Sequence, residues 1–204
     1  MHTIKYHHMK PIANFFYELG MLKRQLHVGP TLAGALPVEL DSLSDHTTRA
    51  ALIGYILAEL EGVNPEKVAC MLLVHDVPEI RIGDQHKVAA RYINTDVAEQ
   101  AAFEEQLSLL PETVEASWKK YQTEFNQRDT KEGAVAKDAD WLETAITARE
   151  LVGRGYSAMQ NWIDNVRAAL ETPSAKKILE EIEKTDPTDW WKDLKKMTYT
   201  KLEK

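Results

Sequence analysis

An all-α fold, a compact helical bundle, is predicted for this 204-residue chain by three observations. Apolar residues recur at spacings of three and four along most of its length, and alternating stretches that would mark strands are few. Helix-start signals such as Asn64-Pro65 and Thr172-Pro173 divide the periodic segments.

The first helix is predicted over residues 11–24, with Ile12, Phe15, Phe16, Leu19 and Leu22 turned inward. A polar loop punctuated by Gly29, Pro30, Gly34 and Pro37 follows. Ser44 is the expected N-cap of the second helix, which buries Ala50, Ile53 and Leu57 and carries His46 on the same face. The third opens at Asn64-Pro65 and runs through Val68, Met71, Leu72 and His75, with Pro78 and Gly83 punctuating its end. Later helices are expected over 95–109, 112–125, 130–153 and 156–170, with another from Thr172. There is no internal repeat. A single domain over 1–185 is therefore expected, followed by a charged tail, 186–204, whose Trp190 and Trp191 would pack on the domain or on a second subunit.

Composition narrows the function. A hydrophobic share of 44% and a charged share of 28% are those of an ordinary globular protein, so disorder is not indicated. No apolar stretch approaches the ~20 residues needed to span a bilayer, and the start, rich in His and Lys, lacks an apolar core like that of a secretory signal. No membrane association and a cytoplasmic location are expected. The net charge of −7 argues against a long nucleic acid as partner, because that binding needs clustered Lys and Arg. A small anion is compatible with it, since one bound cation supplies a local positive centre. The single cysteine, Cys70, lies in an apolar run and is expected to be a buried, inert thiol. His2, His7 and His8 cluster near the start without a carboxylate at ligand spacing and read as surface residues.

Chemistry concentrates in a few histidines and aspartates. His75 and Asp76 are adjacent beside a turn, His46 lies on the inward stripe of the preceding helix, and a late helix carries Asp138 and Asp140 among Val135, Ala136, Ala139 and Leu142. Burying an unpaired carboxylate costs several kcal/mol, roughly, or forces it to protonate, so histidines and aspartates near one core point to a shared cation.

Ser-Asp-His46, then His75-Asp-Val-Pro-Glu79-Ile-Arg-Ile-Gly83-Asp84, then Lys137-Asp-Ala-Asp140 together resemble the HD-domain superfamily of metal-dependent phosphohydrolases, in detail its 5'-deoxynucleotidase branch. The likeness runs from about Leu22 to Glu150 and implies a helical bundle with the metal in a central cleft. It implies His46, His75, Asp76 and Asp140 as metal ligands. Asp140 is preferred to Asp138 because Lys137 completes the family's Lys-x-x-Asp pattern and because Asp138, on another face, is expected nearer solvent. Two nitrogen and two oxygen donors suit one divalent ion such as Mn, Co, Fe or Zn, ahead of Mg and against Ca.

Glu79, one helical turn beyond His75, can reach the same cleft and orient water or exchange a proton, and Asp84, after the turn at Gly83, is a second candidate for that task. The resemblance further implies Arg24 as the phosphate-binding residue. Relatives place an aromatic residue after that arginine, where this chain has Gln25, which opens the sugar preference. The implied reaction is release of phosphate from (deoxy)ribonucleoside 5'-monophosphates by a metal-activated water, and the implied partner is a small nucleotide, with a homodimer as the expected assembly. A two-metal phosphodiesterase of cyclic nucleotides is disfavoured because only His86 lies between the His-Asp pair and the last aspartate. An alarmone hydrolase is disfavoured because Ile80, not Asp, follows Glu79. A nucleotide- or metal-binding domain acting as a sensor or scaffold is the alternative from another class.

Overall fold

The centre of the molecule is a three-way packing of helices, described here from a computed structural model that covers residues 9–192 and 194. The helices are α1 (Met9–Leu19), α2 (Leu43–Glu61), α3 (Pro65–Val74), α4 (Glu79–Ile82), α5 (Thr95–Leu107), α6 (Glu112–Gln127), α7 (Lys131–Gly153), α8 (Gln160–Ala169), α9 (Pro173–Lys184) and α10 (Asp189–Lys192). Among the described residues there is no strand, only an isolated bridge between Leu26 and Ser42. No described helix is long and apolar enough to cross a membrane.

Small side chains let α2, α3 and α7 approach closely. On α7, Ala136, Ala139, Ala145 and Ala148 are fully buried together with Leu142, and α2 answers with Ala50, Gly54, Leu57 and Ala58. A Cβ on Gly54 would collide with Leu72 and lie 3.0 Å from Val68, so the absent side chain sets the distance between α2 and α3. Helices α8 and α9 cover the same core through Ile163, Ala175 and Leu179. A second, smaller core joins Phe15 of α1 to Val77, Ile80, Phe103 and Leu107, with Trp118 edge-on to Phe15 at 6.1 Å.

Helix starts follow local chemistry. Asn64 accepts from the Lys67 N–H at 2.9 Å, and Thr130 accepts from the Gly133 N–H at 3.0 Å. The start of α2 differs from expectation: Ser42, not Ser44, is the cap, because Asp45 closes a capping box back to the Ser42 N–H at 2.9 Å. At the first helix, α1 stops at Leu19 and tightens at Gly20–Lys23 into a 3₁₀ turn. Phe16, expected inside, is 66% exposed, since the inward stripe runs through Ile12, Phe15 and Leu19 and Phe16 falls beside it. Pro78 does not end a helix but precedes the single turn α4, which Gly83 closes at φ 74°.

Cys70 is exposed, contrary to the expected buried thiol: α3 buries Val68, Met71 and Leu72, and a residue two positions after Val68 faces the other side. In the tail, Trp190 is 73% exposed. The remaining tail residues, 193 and 195–204, and His2, His7 and His8 lie outside the described residues.

Candidate metal centre

Three helices and one turn converge on a single point. His46 occupies the first turn of α2, His75 caps the C-terminus of α3 with Asp76 just beyond it, and Asp140 lies midway along α7. One donor atom from each of His46, His75 and Asp140 falls within 4.8 Å of the other two. His46 Nε2 is 3.2 Å from Asp140 Oδ1 and 3.6 Å from Asp76 Oδ2, while His75 Nε2 is 3.1 Å from Asp76 Oδ1 and 3.7 Å from Asp140 Oδ1. Donors each ~2.1 Å from one ion stand roughly 3.0–3.5 Å apart in octahedral or tetrahedral arrangements, so the approach of His46, His75 and Asp140 fits a shared divalent cation, with Asp76 adjoining the two imidazoles through different oxygens and outside that three-residue group.

Both imidazoles are oriented from behind. His75 Nδ1 faces the Leu72 carbonyl oxygen at 2.7 Å, and His46 Nδ1 faces the carboxylate of the buried Glu143. With these nitrogens donating, each Nε2 presents its lone pair to the cleft. Glu143 is held in turn by Arg49 Nε at 2.7 Å, and Arg49 Nη1 donates to Glu150 at 3.0 Å. Sequence reasoning missed Glu143 and Arg49. Their signal was helical spacing, each lying three residues after a candidate ligand, Asp140 and His46.

The charges at this point hold one another. Burial disfavours the His75 imidazolium, yet Asp76 and Asp140 outweigh it and raise its pKa from 6.5 to about 9. His46 is buried too, but Asp140, Glu143 and Asp76 raise it well above its ordinary value. Burial would raise Asp140, but Lys137, His46 and His75 hold it well below the usual carboxylate range. A cation here would replace protons on the imidazoles as the partner of these carboxylates.

Glu79, at the start of α4, also lines the cleft. Burial, then Asp76 and Asp84, push it up from 4.5 to about 10, and its Oε2 is buried without a hydrogen-bond partner among the described residues. Asp84 is more committed, accepting from the Val28 N–H at 2.5 Å and lying 3.9 Å from His27 Nε2.

One expectation is corrected, and one candidate residue stands apart from the cleft. Asp138 is not near solvent but fully buried, accepting from the Glu171 N–H at 3.0 Å, the Thr172 N–H at 2.6 Å and the Thr172 hydroxyl at 2.7 Å. It serves α9, on the face of α7 away from the histidines. Arg24 does not line the cleft: it is exposed and its guanidinium donates to the Gly20 carbonyl at 3.2 Å, within reach because the 3₁₀ turn brings the two together. Gln25 likewise turns to the Ile80 carbonyl, at 3.4 Å. The loop residue that enters the cleft is His27, which sequence reasoning did not single out and whose ring stacks on His46 at 4.6 Å. Lys137, 2.9 Å from Asp140 Oδ2 and 4.5 Å above the Phe125 ring, is the ammonium beside the ligand cluster.

The cleft above this cluster has a volume of about 670 Å³. Comparison with known proteins places it in context. The chain is 27% identical over 130 residues to a 5'-deoxynucleotidase of Vibrio cholerae, an alignment covering 58% of this chain and 66% of that enzyme. It is 25% identical over 183 residues to the 5'-deoxynucleotidase of Erwinia tasmaniensis, covering 84% and 87%. Among solved structures, a conserved hypothetical protein of Pyrococcus furiosus superposes with a TM-score of 0.70 at 27% identity, covering 85% of this chain and 99% of that one. A predicted metal-dependent phosphohydrolase of Magnetospirillum magnetotacticum shares the fold, with a TM-score of 0.68 at 21% identity, covering 89% and 94%. The HD domain model matches residues 19–183, a span that holds every residue converging on this centre. The chain therefore belongs to the HD domain family.

Proposed function

We propose that the chain is a metal-dependent phosphohydrolase that releases phosphate from nucleoside 5'-monophosphates, with His46, His75, Asp76 and Asp140 holding one divalent ion. The observation that carries this reading is the convergence of His46, His75 and Asp140 in an open cleft, with Asp76 carboxylate oxygens 3.6 and 3.1 Å from the two imidazoles. The activity named for the Vibrio and Erwinia relatives supports the substrate class. When bound, such an ion supplies a more acidic water and neutralises charge on the phosphoryl group.

The chain's own residues would do the rest. Lys137 stands beside Asp140 and offers an ammonium to a phosphate oxygen, compensating a cleft whose lining carries six carboxylates against two lysines, Lys87 and Lys137. Glu79, with Oε2 free of other partners, would orient the attacking water, and would take its proton in the ionised form that a cation beside Asp76 favours over the neutral carboxyl of the metal-free site. Asp84 pins the loop at Val28 and keeps His27 against the histidine cluster. Mn, Co, Fe and Zn suit the two-nitrogen, two-oxygen donor set best.

The test is phosphate release from ribo- and deoxyribonucleoside 5'-monophosphates, cyclic nucleotides and alarmones with Mn, Co or Mg, comparing wild type with Asp76→Ala. Metal-dependent release from the monophosphates, lost in the variant, is expected. Full activity in Asp76→Ala, or metal and nucleotide binding without any release, would overturn the proposal.

A further inference from the structure

The cleft has two chemically different ends. Its carboxylates come from Asp76 through Glu99 and from Asp140, whereas the segment from Met159 to Ala169 contributes no charged side chain to the lining. That segment does contain charges. Arg167 pairs with Asp164 at 2.9 Å and with Glu183, and neither Asp164 nor Arg167 lines the cleft. Helix α8 thus sorts its neutral residues, Asn161, Trp162 and Asn165 among them, toward the open space.

These three offer a flat aromatic surface beside a hydrogen-bonding edge. Trp162 is half-buried and rests against the main core, which holds its ring in place. Its indole nitrogen lies alongside the loop at Gly29, where a Cβ would stand 3.7 Å away. One turn of helix links the asparagines, and Asn165 Nδ2 donates to Asn161 Oδ1 at 3.0 Å. This leaves the Asn161 amide hydrogens as donors and the Asn165 carbonyl oxygen as acceptor, side by side.

We infer that the α8 wall is a nucleobase subsite: the base stacks on Trp162, and the asparagine pair meets the adjoining C=O and N–H groups on its edge. The inference rests on the proposed function, because the phosphate end of the same ligand is assigned to the metal centre. With a cation at the carboxylate-rich end, a nucleoside monophosphate would match the cleft: its anionic phosphate meets the cation, and its neutral, flat, hydrogen-bonding base meets the α8 wall. The volume of about 670 Å³ lies within the range that takes a ligand of this size.

The experiment compares nucleoside 5'-monophosphates with ribose 5-phosphate and deoxyribose 5-phosphate, which lack the base. Wild type is expected to favour the nucleotides in kcat/KM by about tenfold or more, a preference of the size that base–aromatic stacking provides. Trp162→Ala should raise KM for the nucleotides by about the same factor and leave the sugar phosphates and bound metal unchanged, while Trp162→Phe restores most of the loss. Because Trp162 also supports the core, the exposed pair is tested separately: Asn161→Ala with Asn165→Ala should raise nucleotide KM several-fold without lowering Tm. Unchanged nucleotide KM in both variants, or equal losses on sugar phosphates, overturns the subsite. If wild type releases no phosphate from any nucleotide, it is the proposed function that fails. Calorimetric titration with the free nucleosides then decides the subsite, which binding abolished by Trp162→Ala supports and binding that is absent or unaffected overturns.

Discussion

Glu143 touches neither substrate nor the proposed ion, yet it sets the orientation of His46. Its carboxylate faces Nδ1, and Arg49 fixes that carboxylate from the other side at 2.7 Å. Removing such a partner typically weakens metal affinity about 10- to 100-fold, so Glu143→Ala should do so, as measured by competition with a metal-binding dye. Glu79 makes a different prediction. Glu79→Gln keeps the shape but cannot take a proton, and kcat should fall by at least about 100-fold with metal uptake retained. The same change should stabilise the metal-free protein in alkali. A carboxyl raised from 4.5 to about 10 is kept neutral by the fold, so stability is lost as pH rises between those values. Glutamine removes that loss, and the metal-free Tm near pH 8 should rise by roughly 3 °C or more.

At the scale of the helix, α7 carries two aspartates with opposite duties. Asp138 and Asp140 are two residues apart, about 200° around the helix, so one faces α9 and the other the histidines. Asp138→Ala leaves the Glu171 and Thr172 N–H groups without their acceptor and should cost about 2–4 kcal/mol in chemical denaturation, with metal affinity unchanged. Asp140→Ala should abolish tight metal binding instead. Local signals located these helices well: Asn64, Thr130 and Thr172 each begin one where a cap residue precedes the periodic run. The solvent placement expected for Asp138 failed because its partner, the start of α9, lies 33 and 34 residues further along the chain. Arg24 stands apart from the cleft lining for a related reason: the helix ends early at the turn Gly20–Lys23, where the guanidinium folds back on the Gly20 carbonyl.

For the whole molecule, metal, protons and stability are linked. In the metal-free protein the raised histidines stabilise the fold fully below their ordinary pKa of 6.5, and for His75 that contribution is lost as pH rises through about 9. A metal ion needs the neutral imidazoles, so apparent metal affinity should rise with pH up to about 9 for His75, by roughly tenfold per pH unit for each proton displaced. Calorimetry of metal binding at several pH values checks this, and a flat profile would exclude His75 as a ligand. An ion present at ~100 times its Kd should add about 2.7 kcal/mol to stability, seen as a Tm increase that chelation reverses.

What periodicity and caps could reveal was the all-α class and the main helices, because each helix is written in residues within a few turns of one another, whereas the candidate ligands His46, His75, Asp76 and Asp140 are what the motif resemblance implies. Which faces met was another matter. The exposure of Cys70, the burial of Asp138, the entry of His27 into the cleft and the support of His46 by Glu143 all depend on contacts between distant segments. Those contacts arise from close packing of α2, α3 and α7 around small residues such as Gly54, and helix period alone cannot say which neighbour a face will find.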